Sequence, residues 1–517
     1  MKNYKYIGLF LLSLGFVSCD VNNELETIEA AVVPEVALNA NGLDFSKYIS
    51  VGASFTAGYT DGAMFAAAQE NSFPNILASK FKAAGGGDFN QPLMADNIGG
   101  LVVGSTVVQP PRFYFDGAGP ARLPATPTTE ATTVLTGPFN NFGAPGAKSF
   151  HLGVPGYGAL NPYFGRMASS PGATVMGDAL AQSPTFFTLS EIGGNDVLGY
   201  ALSGGSGVDQ SPSATNPTGN LDPSTYGGND ITNPLVFANV FNNMVAALTA
   251  NGAKGVVANV PYITSLSNFT TVPYNPVPLD AATAAQLNGA FAPYNAGLQQ
   301  ILDLKNANLL PAVVLPLLVN YDQAEVDKRQ INFVAGQNAV LIIDEDLSNL
   351  EPINAGLTKM RQTTSDDLLV LAGSAFIGTT VGGNPQLING VSVPLADNWV
   401  LTPQEQTAIK TATDAYNATI EAAANANTNV VMVDFKGLLE EASTTGIAFD
   451  DYIMNTNLVT GGIVSLDGVH LTARGYALMA NKILAAMDAE FGSNFTAATN
   501  GLANAGSYPT NYSPALR

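Results

Sequence analysis

Two short stretches at opposite ends of the chain carry residues suited to nucleophilic catalysis. Ser54 lies in the sequence GASFTAG near the start, and Asp467 precedes His470 by three residues in LDGVH near the end. An imidazole can take the proton of a serine hydroxyl, and a carboxylate can hold that imidazole in one tautomer. Because positions i and i+3 share one face of a helical turn, Asp467 is predicted to orient His470 as the base for Ser54.

Few other residues could supply this chemistry. The chain has two histidines, His151 and His470, and no Asp or Glu lies within several residues of His151. We therefore predict a structural role for His151 near Gly146. Two distant histidines and the single cysteine, Cys19, do not form the ligand cluster that a transition-metal centre needs. Neither a metal nor another cofactor is expected.

The elements around Ser54 are predicted from a run of β-formers at 48–51, which Gly52 ends. A helix is expected to start after Ser54 and to lead to the apolar segment at 73–81; its N-terminal amides would favour developing negative charge. The clearest central strand is 185–192, which ends just before Asn195. In open α/β sheets, ligands bind at this carboxyl edge of the strands.

The remaining elements alternate between strand and helix patterns. Further β-like runs lie at 101–108, 132–135, 254–260 and 429–435, and helices are predicted at 236–250, 281–304, 402–424 and 473–491. The helix at 402–424 has a clear start, because Thr402 can cap it, Pro403 suits its first position and Glu405 completes a capping box. The alternation predicts an α/β fold with a parallel sheet and helices on both of its faces.

Four blocks of this sequence resemble those of the SGNH (GDSL-type) hydrolases. They are GASFTAG with Ser54, NFGAPGAKS with Gly146, IGGND with Asn195 and DGVH with His470, in that family's order. The last block, followed by LTARGYALMANKI, is the most specific. The resemblance covers about residues 45–490. It implies a three-layer sandwich with a mostly parallel, flavodoxin-like central sheet and large insertions.

The resemblance also implies an activity and roles for single residues. It implies an esterase or lipase that hydrolyses carboxylic esters of a sugar, a lipid or a small molecule through an acyl-enzyme, without a cofactor. Ser54 would be the nucleophile, His470 the base and Asp467 its orienter. The backbone N–H groups of Ser54 and Gly146 and the side-chain amide of Asn195 would form the oxyanion hole.

One position departs from the family, and other functions are open. Ala53 stands where the family usually has an aspartate directly before the serine. This departure, the long insertions and the acidic, weakly charged composition are compatible with a surface lipoprotein that binds glycan or lipid without hydrolysis. An α/β-hydrolase fits less well, because no serine here has glycine at both −2 and +2.

The tetrapeptide Gly-Gly-Asn-Asp occurs twice, at 193–196 and at 227–230. The first copy follows the strand-like run at 185–192, whereas the second follows a loop rich in Pro, Ser and Gly. Catalysis needs a rigidly held donor. The oxyanion role is therefore assigned to Asn195, and a turn role to Asn229.

The first 19 residues have the pattern of an export signal. Two lysines precede an apolar stretch at 7–17 that is too short to span a bilayer, and the small Ser18 precedes Cys19. The ending FVSC resembles a bacterial lipobox, with Phe16 in place of the more usual Leu. This resemblance implies an exported lipoprotein, anchored through palmitate-type acyl groups on Cys19 in the outer membrane or at the cell surface. An ordinary secretory signal is the alternative.

One large domain is expected, since Ser54 and His470 must meet. After the signal at 1–19 come an acidic spacer at 20–43, a domain at 44–491 and a polar tail at 492–517, with insertions at about 90–140, 203–232 and 305–401, the last a possible cap. The net charge of −21 and the absence of Lys/Arg clusters argue against a nucleic-acid partner.

Overall fold

A five-stranded parallel sheet forms the centre of the protein in the computed structural model, which describes residues 35–517. The prediction for Cys19 lies outside these residues. In chain order the strands are β1 (Tyr48–Gly52), β2 (Asn141–Gly143), β3 (Phe186–Leu189), β4 (Lys254–Ala258) and β5 (Val430–Val433). Their order across the sheet is β5-β4-β3-β1-β2, with every neighbouring pair parallel. The α/β class and its parallel sheet are thus confirmed.

The central strands β1 and β3 are buried along their whole length. Parallel strands covered on both faces are nearly continuous apolar runs. The polar exceptions bond one another, because Thr188 Oγ1 donates to Ser50 Oγ at 2.8 Å and lies 3.0 Å from the Tyr48 hydroxyl. Ser50, which interrupts the β-formers of β1, is therefore paired inside the core.

Helices flank this sheet. The α-helices of residues 35–517 are α1 (Ser54–Ala57), α2 (Ala66–Glu70), α3 (Phe73–Ala83), α4 (Pro162–Gly165), α5 (Val175–Ala181), α6 (Asn195–Leu202), α7 (Pro234–Thr249), α8 (Ser267–Thr270), α9 (Ala281–Asn306), α10 (Gln323–Arg329), α11 (Pro403–Asn425), α12 (Phe435–Thr444) and α13 (Ala473–Phe491). Of these, α9 and α10 pack in a second apolar core and not on the central sheet. The helices predicted at 236–250, 281–304, 402–424 and 473–491 are confirmed as α7, α9, α11 and α13. The capping box of α11 is also present, with the Thr402 N–H donating to Glu405 Oε2 at 2.6 Å. None of the helices in residues 35–517 has the length and apolar character that crossing a membrane requires.

Three local predictions were wrong. The chain after Ser54 does not continue as one helix, because Gly58, with φ of 81°, ends α1 after a single turn. The stretch 132–135 forms no strand, whereas 101–108 forms the hairpin of Leu101–Val103 with Thr106–Gln109. The segment with Asp467 and His470 is a tight turn, in which the Gly468 N–H donates to the Ser465 carbonyl at 2.9 Å, and not a turn of helix.

The chain between β4 and α11 forms small two-stranded sheets that are separate from the central sheet. These pair Val277–Leu279 with Gly336–Asn338, Leu341–Ile343 with Met360–Gln362, Leu368–Leu369 with Val400–Leu401, and Thr380–Val381 with Asn384–Ile388. They enclose a second apolar core. Beside it, the buried Arg361 guanidinium donates to both oxygens of Asp367 at 2.7 Å. Further hairpins pair Phe113–Phe115 with Pro120–Arg122 and Ile447–Phe449 with Tyr452–Met454.

Residues after Gly492, expected to form a poorly specified polar tail, instead pack against the domain. Phe495 is fully buried in the main core. The buried Arg112 guanidinium donates to the carbonyl oxygens of Tyr512, Ser513 and Leu516 at 2.7–3.3 Å. These bonds join two segments 400 residues apart in sequence, so composition alone could not reveal them.

Candidate functional site

Ser54 is the first residue of α1 and lies just past the carboxyl end of β1. Its side chain is largely buried, at 7% exposure, and within residues 35–517 its hydroxyl makes no hydrogen bond. Gly52 permits the sharp turn into the helix, since a Cβ there would lie 2.7 Å from the Ser190 carbonyl oxygen. The Ser54 hydroxyl is therefore held at the sheet edge without competing partners.

His470 and Asp467 form the predicted pair. His470 Nδ1 lies 2.9 Å from Asp467 Oδ2, and Asp467 Oδ1 accepts the backbone N–H groups of Val469 at 2.9 Å and His470 at 2.8 Å. Burial raises the pKa of Asp467, but the charge of His470 and these hydrogen bonds outweigh burial and hold it well below its usual range. Asp467 is thus an anion that can fix the tautomer of His470 with its Nε2 free to act as a base.

A turn shortly after Ser54 joins this pair to the segment that bears Ser54. The Gly62 N–H donates to Asp467 Oδ2 at 2.7 Å, and Thr60 Oγ1 donates to the Leu471 carbonyl at 2.7 Å. The Tyr59 ring packs on the His470 ring, with 4.5 Å between their centroids. We call residues 59–62 the TDG turn. It holds the turn that contains Asp467 and His470 against the segment that begins at Ser54.

Helix α1, which begins at Ser54, lies beside His470, although Ser54 and His470 share no hydrogen bond within residues 35–517. The Phe55 ring, directly after Ser54, lies 5.7 Å from the His470 ring between centroids. Such catalytic contacts are often long in unliganded enzymes and shorten when substrate binds.

Gly146 and Asn195 reach the same edge from the strands on either side of β1. Gly146 follows β2, has φ of +78° and is exposed, and within the described chain its N–H donates no hydrogen bond. Asn195 begins α6 after β3, and its amide donates to the Ala147 carbonyl at 2.9 Å. That bond fixes the side chain beside Gly146 and leaves a second amide hydrogen for a ligand. The three predicted oxyanion donors thus come from three adjacent strands.

Glu191 is a site residue that the sequence reasoning missed. It follows β3 with a positive φ of 50°, a region that non-glycine residues rarely adopt. Its Oε1 accepts the N–H groups of Ala53 at 2.6 Å and Thr56 at 2.8 Å, and its Oε2 accepts the Thr56 hydroxyl at 3.1 Å. A carboxylate from the neighbouring strand therefore fixes the backbone on both sides of Ser54. Its pKa is raised to about 7 by burial, which the hydrogen bonds from Thr56 and Ala53 only partly offset.

Two variants should separate the shape of Glu191 from its charge. Gln can still accept both backbone N–H groups, so Glu191→Gln should keep turnover within a few-fold, whereas Glu191→Ala should lower it by about 10- to 100-fold by releasing Ser54.

The raised pKa of Glu191 also predicts a stability effect. The contribution of Glu191 to the free energy of unfolding is fully present below its ordinary pKa and is lost as pH rises through about 7. Relative to Glu191→Gln, the wild type should therefore lose up to about 3 kcal/mol of unfolding free energy between pH 4.5 and pH 8, measured by denaturant titration. Parallel stability curves for the two proteins would contradict this.

His151 is held in a structural environment. Its Nδ1 accepts the Lys148 N–H at 3.1 Å, and its ring stacks on Tyr157 with 4.8 Å between centroids. Burial, followed by the charge of Lys148, lowers the pKa of His151 to about 4. His151 is thus neutral at pH 7 and lies in the segment that follows Gly146, as predicted.

In the second Gly-Gly-Asn-Asp copy, Gly227, Gly228 and Asn229 are exposed, whereas Asp230 is buried. Asn195→Ala should therefore lower turnover by about 10²–10³-fold with little change in stability, since it removes one oxyanion donor. Asn229→Ala is the matched control and should stay within a few-fold of wild type, because its side chain is exposed. Steady-state kinetics on one ester decides between them. A larger loss from Asn229→Ala would move the oxyanion donor to the second copy.

Three carboxylates also cluster away from Ser54. Oxygens of Glu345, Asp397 and Glu405 lie within 4.8 Å of one another, where the chain before α11 meets the first turn of that helix. None of the three lines the cavity beside Ser54. The cluster is therefore separate from the groups that surround Ser54.

No family model, curated protein or solved structure matches this chain. The resemblance to the SGNH hydrolases thus rests on the four sequence blocks and on where the structure places their residues.

Proposed function

We propose that this protein is a serine esterase of the SGNH type that hydrolyses carboxylic esters through an acyl-enzyme. One observation carries the proposal. The TDG turn ties the Asp467–His470 pair, 2.9 Å apart, to the segment that bears Ser54, beside two donors from the adjacent strands. A parallel sheet with flanking helices agrees with the three-layer fold that the resemblance implies.

The geometry supports a two-step reaction. His470 takes the Ser54 proton as Ser54 Oγ bonds to the ester carbonyl carbon, and Asp467 stabilises the imidazolium that forms. The carbonyl oxygen becomes an oxyanion that the N–H groups of Ser54 and Gly146 and the amide of Asn195 can bind. His470 then gives its proton to the leaving alkoxide, and an acyl group stays on Ser54. In the second step, His470 takes a proton from water as the water oxygen bonds to the acyl carbon, and Ser54 leaves with that proton as the acid is released.

A short-chain chromogenic ester tests the proposal. Protein lacking residues 1–19 should hydrolyse the ester and react with a fluorophosphonate probe, because the probe requires an activated serine. A folded protein that neither turns over esters nor takes the probe would refute the esterase. Retained binding of glycan or lipid by that protein would then favour the non-catalytic lipoprotein.

The proposal includes a membrane anchor at Cys19. The lipobox-like FVSC and the acidic spacer after it support an exported chain tethered by acyl groups, with the domain held clear of the membrane surface. Mass spectrometry of protein from membranes should find a mature chain that starts at an acylated Cys19. A mature N-terminus elsewhere, without added acyl mass, would refute the anchor and leave the esterase untouched.

A further inference from the structure

A cavity of about 120 Å³ lies beside the proposed nucleophile. Ser54 and Asn195 are among the polar groups that line it, and most of its other walls are apolar. Leu198 of α6, Leu439 and Ala442 of α12 and Met479 of α13 contribute to these walls.

The charge and size of the cavity select an apolar ligand. No Lys or Arg of the described chain lines it, and the one carboxylate in its wall, Glu191, already accepts hydrogen bonds from Ala53 and Thr56. An apolar cavity of about 150 Å³ holds a benzene ring, that is about six carbon atoms, and stays free of water. A cavity of about 120 Å³ therefore suits a chain of about four to six carbons.

The position of His470 indicates which side of the ester enters. The base must return its proton to the leaving oxygen, so the alcohol lies towards the His470 ring. The cavity is lined by the nucleophile and by an oxyanion donor, whereas His470 does not line it. The group that stays bonded to the carbonyl carbon therefore faces the cavity.

We propose that this cavity binds the acyl chain and that the preferred substrates are esters of aliphatic acids of about four to six carbons. This inference rests on the proposed esterase function, whose serine must carry the acyl group. Each methylene that enters an apolar site gains transfer free energy equivalent to about a fourfold change in kcat/KM.

The test is a series of p-nitrophenyl esters from acetate to dodecanoate, with one alcohol throughout. For the wild type, kcat/KM should rise about fourfold for each methylene up to pentanoate or hexanoate, and then fall as the chain outgrows the cavity. A second series with acetate as the acid and alcohols of increasing length should show no such rise.

Variants of the wall should move the optimum. Ala442→Leu fills part of the cavity and should lower kcat/KM for the hexanoate at least about tenfold while the acetate stays within a few-fold. Leu439→Ala enlarges the cavity and should shift the optimum to longer acids, so the proposal does not depend on one variant folding. Ala246→Leu, on the exposed face of α7, is the control and should leave the profile unchanged.

The outcomes distinguish a failure of this inference from a failure of the proposed esterase function. Turnover of acetate with a flat acyl profile, or equal losses on all acids in Ala442→Leu, would overturn the acyl assignment and leave the esterase standing. A dependence on alcohol length alone would assign the cavity to the leaving group and overturn the inference as well. Absence of turnover on every ester, with no fluorophosphonate labelling, would refute the esterase and the acyl assignment together.

Discussion

Replacing Ser54 with alanine should lower ester turnover by about 10⁴–10⁶-fold and leave the protein folded. The loss is large because, in the proposed reaction, the hydroxyl forms the covalent bond to the acyl group, and other groups at the site cannot replace it. The fold should persist because this hydroxyl makes no hydrogen bond within residues 35–517. Steady-state kinetics gives the loss in turnover, and thermal unfolding should show a midpoint close to that of the wild type.

Ser190→Ala provides the matched control. Ser190 is buried and lines the same cavity, but it directly follows β3 and is not at the start of α1. A fluorophosphonate should label the wild type and Ser190→Ala at Ser54 and should not label Ser54→Ala. Near wild-type turnover in folded Ser54→Ala would show that another residue is the nucleophile.

Much of the fold could be predicted because its signals are local. The strands β3, β4 and β5 are short apolar runs, and α11 begins with a Thr-Pro pair followed by Glu405, a pattern that fixes a helix start within a few residues. By contrast, β2 has only three residues, Asn141–Gly143, and two of them, Asn141 and Gly143, have low strand propensity. It is a strand because it pairs with β1, and no local pattern indicates that pairing.

Residues of the site were predicted only where side chains suited to catalysis also have a spacing in the sequence that brings them together. Asp467 and His470 meet because three residues separate them, although a tight turn and not a helix brings them together. Glu191 could not be found this way, because its role depends on a positive φ and on contacts with Ala53 and Thr56, more than 130 residues away in the chain. The sequence does contain one signal, however. A carboxylate just after a central strand needs hydrogen-bond donors, and the backbone N–H groups at the ends of neighbouring strands can supply them.

The TDG turn shows the same limit. Its sequence directly follows GASFTAG, yet its partner Asp467 lies 405 residues further along the chain. Asp61 in this turn is buried, and its Oδ1 accepts the Leu466 N–H at 3.0 Å. The sequence shows that a carboxylate lies close to the proposed catalytic serine. Its burial and the contact that explains it are visible only in three dimensions.

The two histidines should differ by several orders of magnitude in their effect on turnover. His470→Ala should lower turnover by about 10⁴–10⁶-fold, since it removes the base that Asp467 orients. Asp467→Asn should cost about 10⁴-fold, because an amide favours the wrong tautomer of the imidazole. His151→Ala should cost only a few-fold, or act through stability, because His151 Nδ1 is already an acceptor for the Lys148 N–H and its low pKa keeps it uncharged.

Turnover can be compared only between folded proteins. Circular dichroism and unfolding midpoints should therefore be measured for each variant together with the kinetics. His151→Ala leaves a space beside Tyr157, and a lower midpoint with nearly normal turnover at low temperature is the expected pattern. His470→Ala should show the reverse, a nearly normal midpoint with turnover lost at every temperature. If both folded variants lose turnover almost completely, His151 takes part in the chemistry, and the base must be sought beside Gly146 as well as beside Asp467.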